Sequence, residues 1–381
     1  MWQQADLDDV MASAWAVGLP MRTRFRGVTL REAVLFEGPA GWGEFAPFPE
    51  YGAQEAAAWL EAGLEAAWAG LGQPLRREIP VNATMPAVGP EQVEQVLRRF
   101  GDLETIPAVK IKVAEPGVDS AEESLAQDLA RVREVRRLVP QAGLRVDANG
   151  GWTQPQALRA LDALAEAAGD RFEYAEQPVA GVEPLARLRE ELDRHGVGGH
   201  GQPLRIAADE AVRKAEDPLR VARLGAADLI VVKVPPLGGV ARALRIVEES
   251  GLDAVVSSAL DTSVGLGAGL ALAARLPKLP YACGLGTAAL LAEDVVDQPL
   301  IPAGGVLPVP GLGAGAGAGL GAADHAGLGA VGKIAAPSPS SDRLRARRLP
   351  AEREAWWKDR IREAHHVLSS AHPRGHPGES R

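Results

Sequence analysis

"AVKIKVAE", residues 108–115, sets two lysines into an apolar run that otherwise reads as a β-strand. Strand side chains alternate faces, so Lys110 and Lys112 share one side while Val109, Ile111 and Val113 share the other. Two like charges on one face call for water there, or for something negative. The next apolar runs carry the negative groups. "LRVDANG" (144–150) ends with Asp147 and Asn149, "RFEYAEQP" (171–178) with Glu176, and "LRIAADE" (204–210) with Asp209 and Glu210. "DLIVVKVPP" (228–236) then ends with Lys233. The steps from 112 to 147, 176, 209 and 233 each span about one βα unit, so charged positions recur once per strand.

Outward from this core, "IPVNATM" (79–85), "DAVVSSAL" (253–260) and "YACGLG" (281–286) complete eight candidate strands. Amphipathic helical patterns such as "SAEESLAQDLARVREVRRLVP" (120–140) and "QPQALRALDALAEAAG" (154–169) lie between them. Alternation of this kind predicts an α/β fold with a parallel barrel, whose active site is built at the C-terminal ends of the strands. A doubly wound open sheet is the structural alternative. The first 78 residues read differently. "TLREAVLFEGPAGWGEFAPF" (29–48) predicts antiparallel strands, and the alanine-rich "AQEAAAWLEAGLEAAWAGLG" (53–72) a helix ending at glycine. The expected organisation is an α+β capping domain over 1–78 and the barrel over 79–300. A Gly/Ala-rich segment and a terminal helix packing back on the cap fill 301–370, and a disordered tail follows over 371–381. "GLGAVG" (327–332) matches G-x-G-x-x-G in form, but it follows low-complexity sequence rather than a strand, so no dinucleotide site is expected there.

Bulk properties narrow the function. The net charge of −9 argues against a nucleic-acid partner. Cys283 is the single cysteine, which excludes an internal disulfide and fits a reducing compartment. An acidic N-terminus and the lack of a membrane-length apolar run predict a cytoplasmic protein without membrane insertion. No obligate protein partner is inferred.

Three carboxylates on neighbouring strand ends make a hard oxygen site that favours Mg²⁺, with Mn²⁺ as the alternative, over zinc or copper. A small carboxylate substrate bound there becomes acidic at its α-carbon, because positive charge stabilises the enediolate that forms. Lysines on the flanks then act as bases or as facing cations, since a cationic neighbour and burial both lower an amine's pKa.

This set, K-x-K, D-x-N, E-Q-P, D-E and a later lysine, resembles the muconate-lactonizing-type branch of the enolase superfamily in kind and order. Within it, "MRTRFRGVTLRE" (21–32), "GWGEFAPFPEYG" (41–52), "RVDANGGW" (145–152), "KVPPLGG" (233–239) and "VVSSALDTSVG" (255–265) are similar to the o-succinylbenzoate synthase family of menaquinone biosynthesis. The resemblance implies a modified TIM barrel, (β/α)7β, under a capping domain. It implies that Asp147, Glu176 and Asp209 bind Mg²⁺, that Lys112 abstracts the α-proton and then protonates the departing hydroxyl, and that Lys233 faces the intermediate as a cation. It places Lys110 and Asn149 in support, and sets Arg145, Ser257 and Ser258 against substrate. It makes "MRTRFRG" (21–27) a loop that closes over the site. The same two-lysine chemistry also serves an N-acylamino acid racemase or dipeptide epimerase. A Schiff-base aldolase on Lys233 leaves the three carboxylates without a purpose.

Overall fold

The structure, a computed structural model, describes residues 5–25, 27–117, 120–198, 203–212, 217–312 and 332–371. Most of the Gly/Ala-rich stretch, all of "GLGAVG" except Gly332, Arg26 of the loop, and the tail from 372 lie outside the described residues.

The chain opens with α1 (Leu7–Ser13) and an antiparallel sheet of β1 (Trp15–Phe25), β2 (Val28–Gly38) and β3 (Gly41–Phe45), in the order β1-β2-β3. Helix α2 (Ala53–Leu64) lies on this sheet, and its last turns widen before the chain breaks at Gly70, φ +78°. Close approach here depends on glycine: a Cβ on Gly63 would stand 2.7 Å from the Glu44 carbonyl oxygen.

From residue 78 the chain alternates. The elements are β4 (Glu78–Pro80), β5 (Ala83–Met85), α3 (Val93–Leu97), β6 (Ala108–Lys112), α4 (Ala121–Leu138), β7 (Gly143–Asp147), α5 (Gln154–Ala168) and β8 (Phe172–Glu176). They continue with α6 (Val182–His195), β9 (Ile206–Ala208), α7 (Asp217–Arg223), β10 (Leu229–Val232), α8 (Val240–Ser250), β11 (Asp253–Val256) and α9 (Ser263–Arg275). Seven strands pair in parallel in the order β11-β10-β9-β8-β7-β6-β5. The expected eighth strand is only a short bridging segment. Cys283 N donates to Pro80 O at 2.7 Å and Gly284 N to Val256 O at 2.8 Å, so residues 283–284 join both edges and close the barrel. The first expected run also splits. Pro80 has no N–H to give to a ladder, and Glu78–Pro80 instead pairs antiparallel with β12 (Val306–Pro308).

The strands are buried on both faces, as parallel strands covered by helices must be. Val109, Ile111, Leu144, Val146, Ile206, Ile230 and Val232 belong to the large core that includes the helices. Tyr174, Ala207, Leu229, Val231 and Val255 form a separate cluster that fills the barrel. Helix ends are set locally: Ser120 Oγ accepts the Glu123 N–H at the start of α4, and Thr153 with Gln156 forms a capping box on α5. After β12 come α10 (Ser341–Arg347) and α11 (Ala351–Ala371). Helix α11 returns to the N-terminal layer, where Trp357 is wholly buried and its Nε1 donates 2.9 Å to Glu32 Oε2 on β2. Among the described residues no helix is long and apolar enough to cross a membrane.

Candidate active site

Strand register brings the charged residues together. Lys112 pairs with Asp147 across β6 and β7, and Asp147 with Glu176 across β7 and β8. Asp209 and Lys233 directly follow β9 and β10, and Ser257 follows β11. All six are buried. Except for Glu176, whose carboxylate is held by Lys110, they line one cavity together with Lys110, Asn149, Ser258, Thr84, Leu260, Thr287 and Phe25.

Within it the charges sort into pairs. Lys110 Nζ donates to both oxygens of Glu176, at 2.8 and 2.9 Å, and to Asp147 Oδ2 at 3.1 Å. Lys112 Nζ donates to the same Asp147 Oδ2 at 2.6 Å and also to Asn149 Oδ1. Lys233 Nζ contacts both oxygens of Asp209. Asn149, at φ +48°, spans the mouth by donating from Nδ2 to Glu210 Oε1 at 3.1 Å. Gln177, at φ +40° and fully buried, accepts the Asp209 and Ala211 N–H groups on Oε1 at 3.0 and 3.1 Å. It thereby fixes the turn that presents Asp209.

Electrostatics follow from this pairing. Burial penalises the Lys110 ammonium, but Asp147 and Glu176 outweigh that and hold it charged well above the ordinary lysine range. Burial raises the Asp147 carboxyl, yet Lys110 and Lys112 win and keep it well below the usual carboxylate range. Burial and then the neighbouring Asp147 push Glu176 up to about 8. Three buried carboxylates on consecutive strands, without histidine or cysteine among them, fit a hard divalent cation. As they stand, their oxygens are taken by ammonium groups, and among the described residues no three His, Cys, Asp or Glu side chains close into a metal cage.

Arg145 is not brought to the cavity. It shares a face with Asp147 but lies one layer deeper, with no exposure. Its Nη1 donates to Asn82 Oδ1 at 3.0 Å and Ala282 O at 2.6 Å, its Nε pairs with Glu173, and its guanidinium lies 5.0 Å from the Tyr174 ring. Residues 21–25, from the stretch expected to close over the site, form the end of β1. Arg22 is engaged with the Leu291 and Ala292 carbonyls, and the Phe25 ring stands 5.5 Å from Lys112 Nζ. Sequence reasoning missed Phe25, Thr84, Gln177, Leu260 and Thr287. Gln177 carried a signal as the middle residue of "EQP", and Phe25 lies within the stretch 21–27 expected to close over the site.

Residues 16–67 match the enolase N-terminal domain-like family and residues 73–323 the enolase C-terminal domain-like family. The chain is 48% identical to the o-succinylbenzoate synthase of Mycolicibacterium smegmatis, over 95% of this chain and 98% of that one. The chain belongs to the o-succinylbenzoate synthase family. A second o-succinylbenzoate synthase, from Thermobifida fusca, is 52% identical over 77% of this chain and 86% of its own. Solved structures of 2-chloromuconate cycloisomerase from Rhodococcus opacus and of muconate lactonizing enzyme from Pseudomonas fluorescens each superpose with TM-score 0.67. Both cover 88% of this chain and 98% of their own, at 23% and 19% identity, a likeness that shows the fold. The o-succinylbenzoate synthase family sits in the enolase superfamily, whose members depend on a divalent metal.

Proposed function

We propose that this chain is an o-succinylbenzoate synthase, a carbon–oxygen lyase that removes water from 2-succinyl-6-hydroxy-2,4-cyclohexadiene-1-carboxylate to give 2-succinylbenzoate in menaquinone biosynthesis. The observation that carries the reading is the site itself: lysines from β6 and from the end of β10 flank carboxylates from the strands between them, around one cavity. Residues 1–78 act as the cap on a barrel of residues 79–300, and Phe25 is the part of that cap that faces Lys112.

Asp147, Glu176 and Asp209 would hold Mg²⁺. When bound, it supplies positive charge to the substrate carboxylate and so eases loss of the α-proton. Lys112 Nζ takes that proton. The electron pair moves into the ring, the C–O bond to the 6-hydroxyl breaks, and the same Nζ–H protonates the departing oxygen. Water leaves and the ring becomes aromatic. One lysine serving both transfers makes the elimination syn. Lys110 is held cationic by Asp147 and Glu176, which leaves Lys112 as the base. Lys233 stays on the far flank as the cation that faces the developing charge. Asn149 holds Lys112 by a hydrogen bond, and Ser257 and Ser258 present hydroxyls to the substrate from the end of β11.

Lysines on two flanks also suit a racemase of N-acylamino acids, in which the second lysine would return a proton to the opposite face. Incubation with the cyclohexadiene substrate, with EDTA or with added Mg²⁺, separates the outcomes. Metal-dependent growth of the aromatic ultraviolet band is expected. No aromatic product, with α-deuterium exchange and inversion on an N-acylamino acid, would assign the racemase instead.

A further inference from the structure

Behind the site lies a second buried charge pair. Asp128 and Arg131, 2% and 4% exposed, stand three residues apart on α4, so both side chains reach the same patch of sheet. Arg131 Nη1 donates to Lys112 O at 2.8 Å and to Asp128 Oδ1 at 2.9 Å, while its Nε donates to Val88 O at 2.8 Å beyond β5. Asp128 Oδ2 accepts the Ala114 N–H at 2.9 Å.

The pair therefore grips the peptide groups on both sides of Val113. That residue makes the last rung of the ladder, its N–H donating to Asp147 O at 3.1 Å. Ala114 then turns out of the sheet at φ +58°. Lys112 O and Ala114 N are where the sheet stops supplying partners, and buried backbone groups need them. A buried ion pair is weak evidence for stability, since well-packed apolar residues commonly serve as well or better. What it adds here is position. We propose that Asp128 and Arg131 are positioning residues for Lys112: they fix where β6 ends, and so where Nζ meets the α-carbon of the substrate. The proposal rests on the lyase reading above, in which Lys112 is the base.

A matched control exists at the opposite end of the barrel. Asp228 Oδ2 accepts the Ile206 N–H at 2.8 Å at the start of β9, and Arg189 donates to Asp228 Oδ1 at 2.7 Å. It grips a strand end in the same way, but away from the cavity. Wild-type turnover, measured first, tests the lyase reading by itself.

Steady-state kinetics and melting are then compared for Asp128→Asn, Arg131→Lys and Asp228→Asn. Substrate deuterated at the abstracted position is used alongside the unlabelled compound. Displacing a reacting group by about 1 Å costs on the order of 100-fold in rate, so kcat should fall about 10- to 100-fold in either α4 variant. KM should hold, and the deuterium isotope effect should rise as proton abstraction becomes more limiting. Asp228→Asn should lower Tm while leaving kcat and the isotope effect unchanged. Should Asp128→Asn fail to fold, Arg131→Lys, which keeps the charge but loses the fork, carries the same test. Loss only in proportion to unfolded protein with an unchanged isotope effect, or equal loss in Asp228→Asn, would overturn the proposal.

Discussion

Lys112 Nζ lies 2.6 Å from Asp147 Oδ2, and the two residues are register partners on adjacent parallel strands. Lysine and carboxylate are thus set by the sheet rather than by loops, which gives them a rigid relative position. Lys110 shares the same oxygen at 3.1 Å but is also held by both oxygens of Glu176. Asp147 and Glu176 together hold Lys110 charged, well above the ordinary lysine range.

Phe25 covers Lys112 from the cap, its ring 5.5 Å from Nζ. Replacing it with leucine removes the cation–π contact and part of the wall while keeping an apolar side chain. A contact of this kind contributes about 0.5–2 kcal/mol, so kcat/KM should fall about 2- to 30-fold, mainly through KM. Steady-state kinetics on the purified variant check this, and an unchanged KM would remove Phe25 from the site.

Arg145 lies beneath the cavity, bonded to Asn82, Glu173 and a backbone carbonyl. Its role is therefore in the barrel floor. Arg145→Met should cost about 3–5 kcal/mol in chemical denaturation, because it strands the buried partners of a charge. KM of the remaining folded enzyme should stay as in the wild type. A large rise in KM without loss of stability would return Arg145 to substrate contact.

Glu44, on β3, is buried where it accepts the Thr262 and Gly265 N–H groups at the start of α9. Burial and then Asp261 push its carboxyl from the ordinary 4.5 up to about 8. A carboxyl that binds its proton more tightly when folded favours the fold fully below 4.5, and that contribution is lost as pH rises toward and through about 8. Glu44→Gln cannot ionise, so its stability should fall less steeply than the wild type's across that window. Melting curves from pH 5 to about pH 9 test this. Parallel curves would contradict it.

Legibility followed the range of the interactions. Charged residues at the ends of apolar runs marked the barrel mouth, because strand alternation and the βα rhythm are local properties of the chain. Depth was not legible. Arg145 sits in the same layer as Lys110, and only its bonds to Asn82, Glu173 and the Ala282 carbonyl keep it out of the cavity that Lys110 reaches. Phe25 lies in the stretch that the resemblance sets over the site, but its meeting with Lys112 comes from packing between segments far apart in sequence. Asp128 and Arg131 read as an ordinary i, i+3 surface pair on an amphipathic helix until β6 is placed beneath them. "YACGLG" reads as a strand, yet with glycines at 284 and 286 it closes the barrel by bridges alone.

The proposed role of Lys112 is to move the proton. Lys112→Ala should be compared with the wild type by following formation of the aromatic product with Mg²⁺ present, with circular dichroism confirming the fold. Positioned acid–base groups contribute about 100- to 10,000-fold, and this lysine serves two transfers, so turnover should fall at least about 1,000-fold with the fold intact. Turnover close to that of the wild type would contradict the assignment.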